Sequence, residues 1–360
     1  MTDLREHLPA FREALARWYV EHHRRLPWRV TPSLYSTVVS EFMCQQTQVA
    51  TVLPYFERWM ERFADFETLA DAPEAVVLKH WEGLGYYSRA RNLQRLARAY
   101  VASDPKPTTV DGWRAFPGVG PYTAAAIASI HFQAPEAVVD GNVVRILARL
   151  TADATVFRGG GPAVAHFQAL AREVLEVGEP GNHNQAMMEL GATVCLKRRP
   201  LCTVCPVVGW CAGAASGEPE AMPRIERTKT ERVEVTRLWV RRSSDGAILL
   251  ERGEAGSRRL AHLHEFPELG TVFASGLPKD ASVLLAKSRG ISNQRIRETF
   301  YRYPADAFVE ASTADNPRLA FHTPAELEAL TLSGPHRKWL PALLEAHAAQ
   351  TEEVTQNGSG

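Results

Sequence analysis

Phe116-Pro117-Gly118-Val119-Gly120-Pro121-Tyr122-Thr123-Ala124 reads as a tight, glycine-containing turn between two helices. Pro121 suits the first turn of a helix, where a missing N–H costs nothing, and Ala124 to Ala128 continue that helix. Gly118 and Gly120 leave the backbone amides of the turn uncovered beside a helix N-terminus. Such a turn can dock on a phosphate with the helix dipole assisting, which positions a duplex without reading its bases. Gly-x-Gly also serves ordinary turns, so the run needs its neighbours.

From Leu8 to about Cys211 the apolar residues recur at helical spacing, broken by short turn signals such as Leu26-Pro27-Trp28 and Gly83-Leu84-Gly85, which predicts a mainly α region. Downstream of the turn, Asp140-Gly141-Asn142 precedes the helical run Val143 to Leu147, so Asp140 reads as a turn residue or helix cap. Upstream, Glu41 stands in Val38-Val39-Ser40-Glu41-Phe42-Met43. A carboxyl in so apolar a helix is either partly desolvated, with a raised pKa that favours the acid, or on a solvated face.

Four of the five cysteines fall at Cys195, Cys202, Cys205 and Cys211, a C-x6-C-x2-C-x5-C spacing that puts four thiolates on one loop. In a reducing compartment this favours metal binding over disulfides, and either zinc or an iron-sulfur cluster accepts such a set. The unequal gaps lean towards a cluster. Lys197, Arg198 and Arg199 lie between the first two ligands, where a pinned loop would offer them to phosphates; the alternative is a solvated charge run. Cys44 stands apart and reads as a small buried hydrophobe.

At 360 residues, 45% hydrophobic and 23% charged, the chain exceeds the usual size of one core, so two domains are expected. The composition excludes general disorder, no apolar run is long enough to span a bilayer, and the first residues lack a signal-peptide layout, which predicts a cytoplasmic protein without membrane contact. Net charge is zero, so any nucleic-acid surface must be local. Residues 1–212 form the helical domain, 213–231 with Gly213, Ser216, Gly217, Pro219 and Pro223 an exposed linker, 232–349 a smaller α+β domain, and 350–360 a disordered tail. Asp245-Gly246 between Val233–Trp239 and Ile248–Leu250 signals a β-hairpin.

Taken together, the order and spacing of these segments resemble the MutY family of adenine DNA glycosylases. The strings that carry the resemblance are Leu26-Pro27-Trp28-Arg29, Ser40-Glu41 through Gln45-Gln46-Thr47-Gln48, Gly83 to Asn92, the turn itself, Val139-Asp140-Gly141-Asn142-Val143 and Asn184 to Ala192. The resemblance implies a helix-hairpin-helix glycosylase fold with an iron-sulfur loop, a 4Fe-4S cluster on the four cysteines, and a C-terminal Nudix-like domain that recognises the lesion; no glutamate-rich Nudix box is present.

It further implies a monomer acting on double-stranded DNA that carries adenine opposite 8-oxoguanine, with the base flipped into a pocket. Glu41 would protonate adenine N7, and Asp140 would stay ionised to stabilise the oxocarbenium-like sugar. Tyr122 stands where endonuclease III-type relatives carry a Schiff-base lysine, so strand cleavage by that route is excluded. Tyr122 and Asn142 would brace Asp140 or the transition state, Arg29 and Glu189 would meet the flipped adenine, and Gln46 and Tyr86 would wedge into the stack, although a core aromatic is the alternative for Tyr86. Phe300-Tyr301-Arg302 occupies the place of a family Phe-Ser-His with Phe300 alone matching. Either Tyr301 or Arg302 contacts the lesion differently or the preference for 8-oxoguanine over guanine is reduced.

Overall fold

The computed structural model describes residues 4–226, 229–254, 256–257, 261–273, 276–279, 281–291, 293–305 and 316–357. Two compact units emerge, Met1–Ala70 with Arg95–Thr228, and Asp71–Gln94 with Lys229–Gly360.

The first unit is almost entirely helical. Helix Leu34–Cys44 starts at Ser33, whose hydroxyl accepts from the Ser36 amide while Ser36 closes a capping box, so an apolar helix is held at a defined start. Helix Pro121–Phe132 begins directly after Gly120, its alanines packed against neighbouring helices. Helix Gly141–Leu150 buries Val143, Val144, Ile146, Leu147 and Leu150 at helical spacing in the main core, together with Phe11, Leu15, Phe167 and Met187. The helix-hairpin-helix expectation holds: Val110–Arg114, the turn, then Pro121–Phe132.

The segment expected to be an exposed linker is exposed at most positions from Ala215 to Glu226, but it is structured and tethered at a few of them. Helix Ala212–Ala215 packs on the core, Met222 is buried, and strand β2, Arg224–Ile225, pairs in parallel with β1, Val156–Phe157. Gly213 serves close packing: a Cβ there would lie 2.8 Å from the Arg149 carbonyl oxygen. Residues 227–228 lie outside the described residues.

The second unit is α+β. Its sheet has the order β5-β4-β3-β7-β6, with β8 also pairing β4; the strands are β3 Glu231–Arg241, β4 Ile248–Arg252, β5 His264–Glu265, β6 Ser282–Ile291, β7 Gln294–Pro304 and β8 Leu319–His322. The Asp245-Gly246 hairpin forms as expected, joining β3 and β4 antiparallel with Gly246 at φ 72°. Trp239, Phe266 and Phe300 share one apolar cluster with Trp339 and Leu343 of helix Gly334–Asn357, while Leu238, Val240, Leu249, Tyr301 and Tyr303 gather in a second. That helix corrects the disordered tail, since it continues through Asn357; 358–360 lie outside the described residues.

The sequence placed 71–94 in the helical domain, whereas it groups with the second unit through side chains that satisfy buried backbone. Tyr87 Oη donates to the Leu332 carbonyl at 2.9 Å, Lys79 Nζ to the Leu330 carbonyl at 2.9 Å, and Glu82 accepts from the Leu332 amide at 2.8 Å and Arg337 Nε at 3.1 Å. Under the sheet, Arg237 donates to Glu298 at 2.7 Å and Glu265 at 3.0 Å, and His336 Nε2 lies 3.1 Å from Glu298.

Candidate active site

The helix Leu34–Cys44 carries Glu41 and the start of helix Gly141–Leu150 presents Asp140, two carboxyls from segments about a hundred residues apart that lie within electrostatic reach of one another. Burial, with Asp140 adding to it, pushes Glu41 up to about 7 against the lowering effect of its hydrogen bond with Tyr122 and of the Arg29 charge. Near neutrality Glu41 is therefore poised between acid and anion. Tyr122 itself is driven well above its ordinary value by burial and by Glu41, so it stays a neutral phenol; its hydroxyl also lies 3.2 Å from Met188 Sδ.

Asp140 is the helix cap that the sequence offered as its plain reading, and also a partner of Glu41. Oδ1 accepts from the Asn142 and Val143 amides, both at 2.8 Å, and Oδ2 from Asn142 Nδ2 at 2.8 Å. Burial still raises its pKa above the usual carboxylate value, with these three donors and the Arg145 charge pulling the other way. Arg145, which the sequence reading missed, holds Asn142 in turn: Nη2 donates to Asn142 Oδ1 at 2.8 Å and to the Gly191 carbonyl at 2.7 Å, while Nε donates to the Cys195 carbonyl at 2.8 Å.

Glu189 is fully buried and both its oxygens are occupied. Arg24 donates from its amide, Nε and Nη2, and Arg29 Nη1 donates at 2.8 Å. Burial would raise this carboxyl, but Arg24 and Arg29 hold it near 2. The carboxylate thereby anchors Arg29, the other residue expected to meet the base. Arg24 was also missed; its only signal was its place two residues before Leu26-Pro27-Trp28-Arg29. A cavity of about 440 Å3 reaches Glu41 and has Trp28, Arg29, Ser40 and Met188 in its wall.

Gln46 and Tyr86 are exposed loop residues held at φ 56° and φ 48°, a strained conformation for side chains of this size. With Tyr86 49% exposed, the core alternative for it is excluded. In the hairpin Gly118 has φ 77° and needs to be glycine, whereas a Cβ on Gly120 would meet nothing within 4 Å.

The four cysteines form no disulfide and lie on a loop tied down by Arg149, a buried side chain that donates to the carbonyls of Leu196 at 2.7 Å, Lys197 at 3.2 Å and Pro219 at 2.7 Å and to Cys195 Sγ at 3.2 Å. Burial pushes Cys205 up to about 12 and raises Cys211, and in both cases the sulfurs of the other loop cysteines contribute. An all-sulfur set within mutual electrostatic reach, carrying an N–H···S bond, fits a metal-sulfur group in its donor chemistry. Among the described residues no three ligating side chains converge as one ion would require. Lys197, Arg198 and Arg199 are exposed, with Arg199 at φ 49°.

Phe300 is a correction. Fully buried in the sheet core, it cannot touch a lesion, and alternation along β7 puts Tyr301 on the opposite face while Arg302 shares the face of Phe300. Tyr301 and Arg302 keep partial exposure.

Residues 39–156 match the family described as HhH-GPD superfamily base excision DNA repair protein. Two solved structures share the fold: a thermostable thymine-DNA glycosylase, TM-score 0.51 at 24% identity over 59% of this chain and 98% of that one, and an endonuclease III in a non-covalent DNA complex, TM-score 0.50 at 21% identity over 60% and 98%. Among curated proteins, the adenine DNA glycosylase of Mycobacterium tuberculosis is 39% identical over 214 residues, 57% of this chain and 68% of its own length. Those of Rattus norvegicus and Homo sapiens are 43% and 42% identical over 59% of this chain, and the matched region spans only 44% and 41% of their lengths. The chain belongs to the adenine DNA glycosylase family. Among the described residues no helix is long and apolar enough to cross a membrane.

Proposed function

We propose that this protein excises adenine mispaired with 8-oxoguanine or guanine in duplex DNA, without cutting the strand itself. The observation that carries the reading is the pair of unlike carboxyls: Glu41, raised to about 7, and Asp140, furnished with three hydrogen-bond donors. Glycosidic cleavage needs one carboxyl able to give a proton and another able to bear charge beside a developing cation.

In this mechanism adenine is flipped into the cavity beside Arg29 and Trp28, Glu41 protonates N7, and the N9–C1′ bond breaks with its electrons passing to the base. Asp140 stabilises the sugar cation until water adds at C1′, the water's surplus proton passing to the Glu41 carboxylate left by protonation of N7. Tyr122 is a phenol and forms no imine, so the abasic strand is left intact. The hairpin Gly118–Gly120 and the exposed Lys197, Arg198 and Arg199 would hold phosphates, while Gln46 and Tyr86 would fill the space the base leaves. Cys195, Cys202, Cys205 and Cys211 would hold a 4Fe-4S cluster, whose contribution is to fix the loop that presents those cations. The second unit would act as a Nudix-like lesion reader through Tyr301 or Arg302, on a monomeric enzyme.

Single-turnover reaction of duplexes carrying adenine opposite 8-oxoguanine, guanine or thymine tests the proposal. Alkali-dependent breaks opposite the first two and not the third are expected; alkali-independent breaks, or none from a cluster-loaded protein, would refute it. Asp140→Asn should lose on the order of 10²–10³ in excision rate while keeping its DNA affinity.

A further inference from the structure

The cavity at Glu41 is larger than a flipped base needs, and its extra part leads elsewhere. Its wall contains Glu41 and Arg29 but neither Asp140 nor the hairpin glycines, so it extends away from the side where the sugar would sit. It runs along one face of helix Leu8–His22, past Tyr19 and Ala16, to Val20, and along helix Pro180–Thr193 to Asn182. Ala16, Val20 and Asn182 are exposed, Val20 at 73%, which places a mouth there.

We propose that this cavity is a rear passage that binds the free, uncharged purine base and lets it leave while the abasic strand is still held on the side of Asp140. The inference rests on the glycosylase reading above. It answers a steric problem of that reading, since a base cut from a bound strand lies behind the strand that delivered it.

The chemistry of the wall suits a neutral heterocycle. Deep in the passage Tyr19, Thr37, Ser40 and His183 are buried, and burial together with the Arg12 charge lowers His183 to about 4, so the ring is uncharged at neutral pH. Arg12 is already engaged, donating to the Val174 carbonyl at 3.0 Å and the Glu173 carbonyl at 2.9 Å with Glu176 at 4.0 Å. Ser40 Oγ donates to the Thr37 carbonyl at 2.9 Å and Thr37 Oγ1 lies 2.8 Å from His131 Nε2, so the Tyr19 hydroxyl and the His183 imidazole are the groups offered to a purine edge. Arg29, held by Glu189, and Arg12 leave no spare cation in the wall to retain a phosphate.

The experiment reacts the full-length protein in single turnover with duplex whose target adenine is tritium-labelled. Loss of label from filter-retained protein–DNA complexes is followed separately from abasic-site formation. The wild type should release adenine before DNA. Ala16→Trp and Val20→Trp, both at exposed positions, should slow that release about tenfold with abasic-site formation within about twofold, and Val20→Ala should behave as wild type. Adenine leaving only in step with DNA, or released at the wild-type rate by both tryptophan variants, overturns the passage. Should the tryptophans also impair excision, uptake of labelled adenine by the wild type already bound to abasic duplex decides: uptake supports the passage and none overturns it. Failure of the wild type to form abasic sites would instead overturn the glycosylase reading.

Discussion

Glu41 and Tyr122 form a coupled pair whose behaviour with pH has a definite sign. In the proposed mechanism Glu41 acts in its acid form, so the single-turnover rate should fall as pH rises through about 7, the value to which burial lifts this carboxyl. The hydrogen bond from Tyr122 opposes that rise. Tyr122→Phe should therefore move the falling limb to higher pH while lowering the plateau; a limb that stays in place or moves towards acid would show that some other group titrates. A second residue-scale prediction concerns Gly191, where a Cβ would lie 2.5 Å from Asn142 Cβ. Gly191→Ala must displace Asn142, the side chain that donates to Asp140 at 2.8 Å. Excision should fall by on the order of 10², with overpacking costing about 1–3 kcal/mol of stability and DNA affinity little changed. Full activity in a folded Gly191→Ala protein would remove Asn142 from the mechanism.

At the scale of elements, the hairpin separates two uses of glycine. Gly118 at φ 77° is needed by the backbone, whereas Gly120 has ordinary dihedrals and open space where its side chain would be. Gly120→Ala should leave the melting temperature unchanged and weaken binding to matched and mismatched duplex alike, because the added methyl meets only the phosphate that the turn would dock on. A fall in stability with unaltered binding would assign the glycine to the fold instead. What was legible in the sequence follows the same division. The hairpin, the Asp140 cap, the cysteine loop 195–211 and the Asp245-Gly246 turn are each written within a short run of neighbouring residues, where backbone stereochemistry or cysteine spacing decides. Arg24 on Glu189 spans 165 positions, and Arg149 reaches a loop 47 residues away, so neither leaves a local pattern. The segment 213–226 is exposed at most positions, but its tethering was not legible because a small residue signals flexibility in composition, whereas Gly213 permits close contact with Arg149. Phe300 was misread because a motif position was carried over without the strand alternation that sends its ring into the core.

For the whole molecule, the two units differ in their titratable groups: the histidine and carboxyl shifts of the second are of one sign, those of the first of both. In the second unit burial lowers His264 and His347 to about 4 and depresses His322 and His336 as well. His336 shows why: Nδ1 accepts from the Phe266 amide at 2.9 Å, which fixes the neutral ring with its proton on Nε2 towards Glu298. A histidine with a depressed folded pKa binds protons more readily once unfolded. Its contribution is complete above the unfolded value near 6.5 and is lost as pH falls from there towards about 4, at about 1.4 kcal/mol per pKa unit. The carboxylates act in the same direction, since Glu298, brought to about 2 by His336, Arg237 and Arg289 against its burial, and the lowered Glu265 are stabilising above about 4.5 and lose that as pH falls. In the first unit His183 and Glu189 follow this sign, but Glu41 opposes it: a carboxyl raised to about 7 stabilises fully below its unfolded value and loses that as pH rises through 7. Acidification from pH 7 to 4.5 should therefore open the second unit first. Hydrogen exchange, corrected for intrinsic rates, should show β3, β7 and helix Gly334–Asn357 losing protection while Leu34–Cys44 and Pro180–Thr193 retain theirs, and base excision from a guanine mispair should outlast discrimination for 8-oxoguanine. Equal loss in both units, or earlier loss in the helical one, would mean that packing rather than these buried imidazoles sets the acid limit.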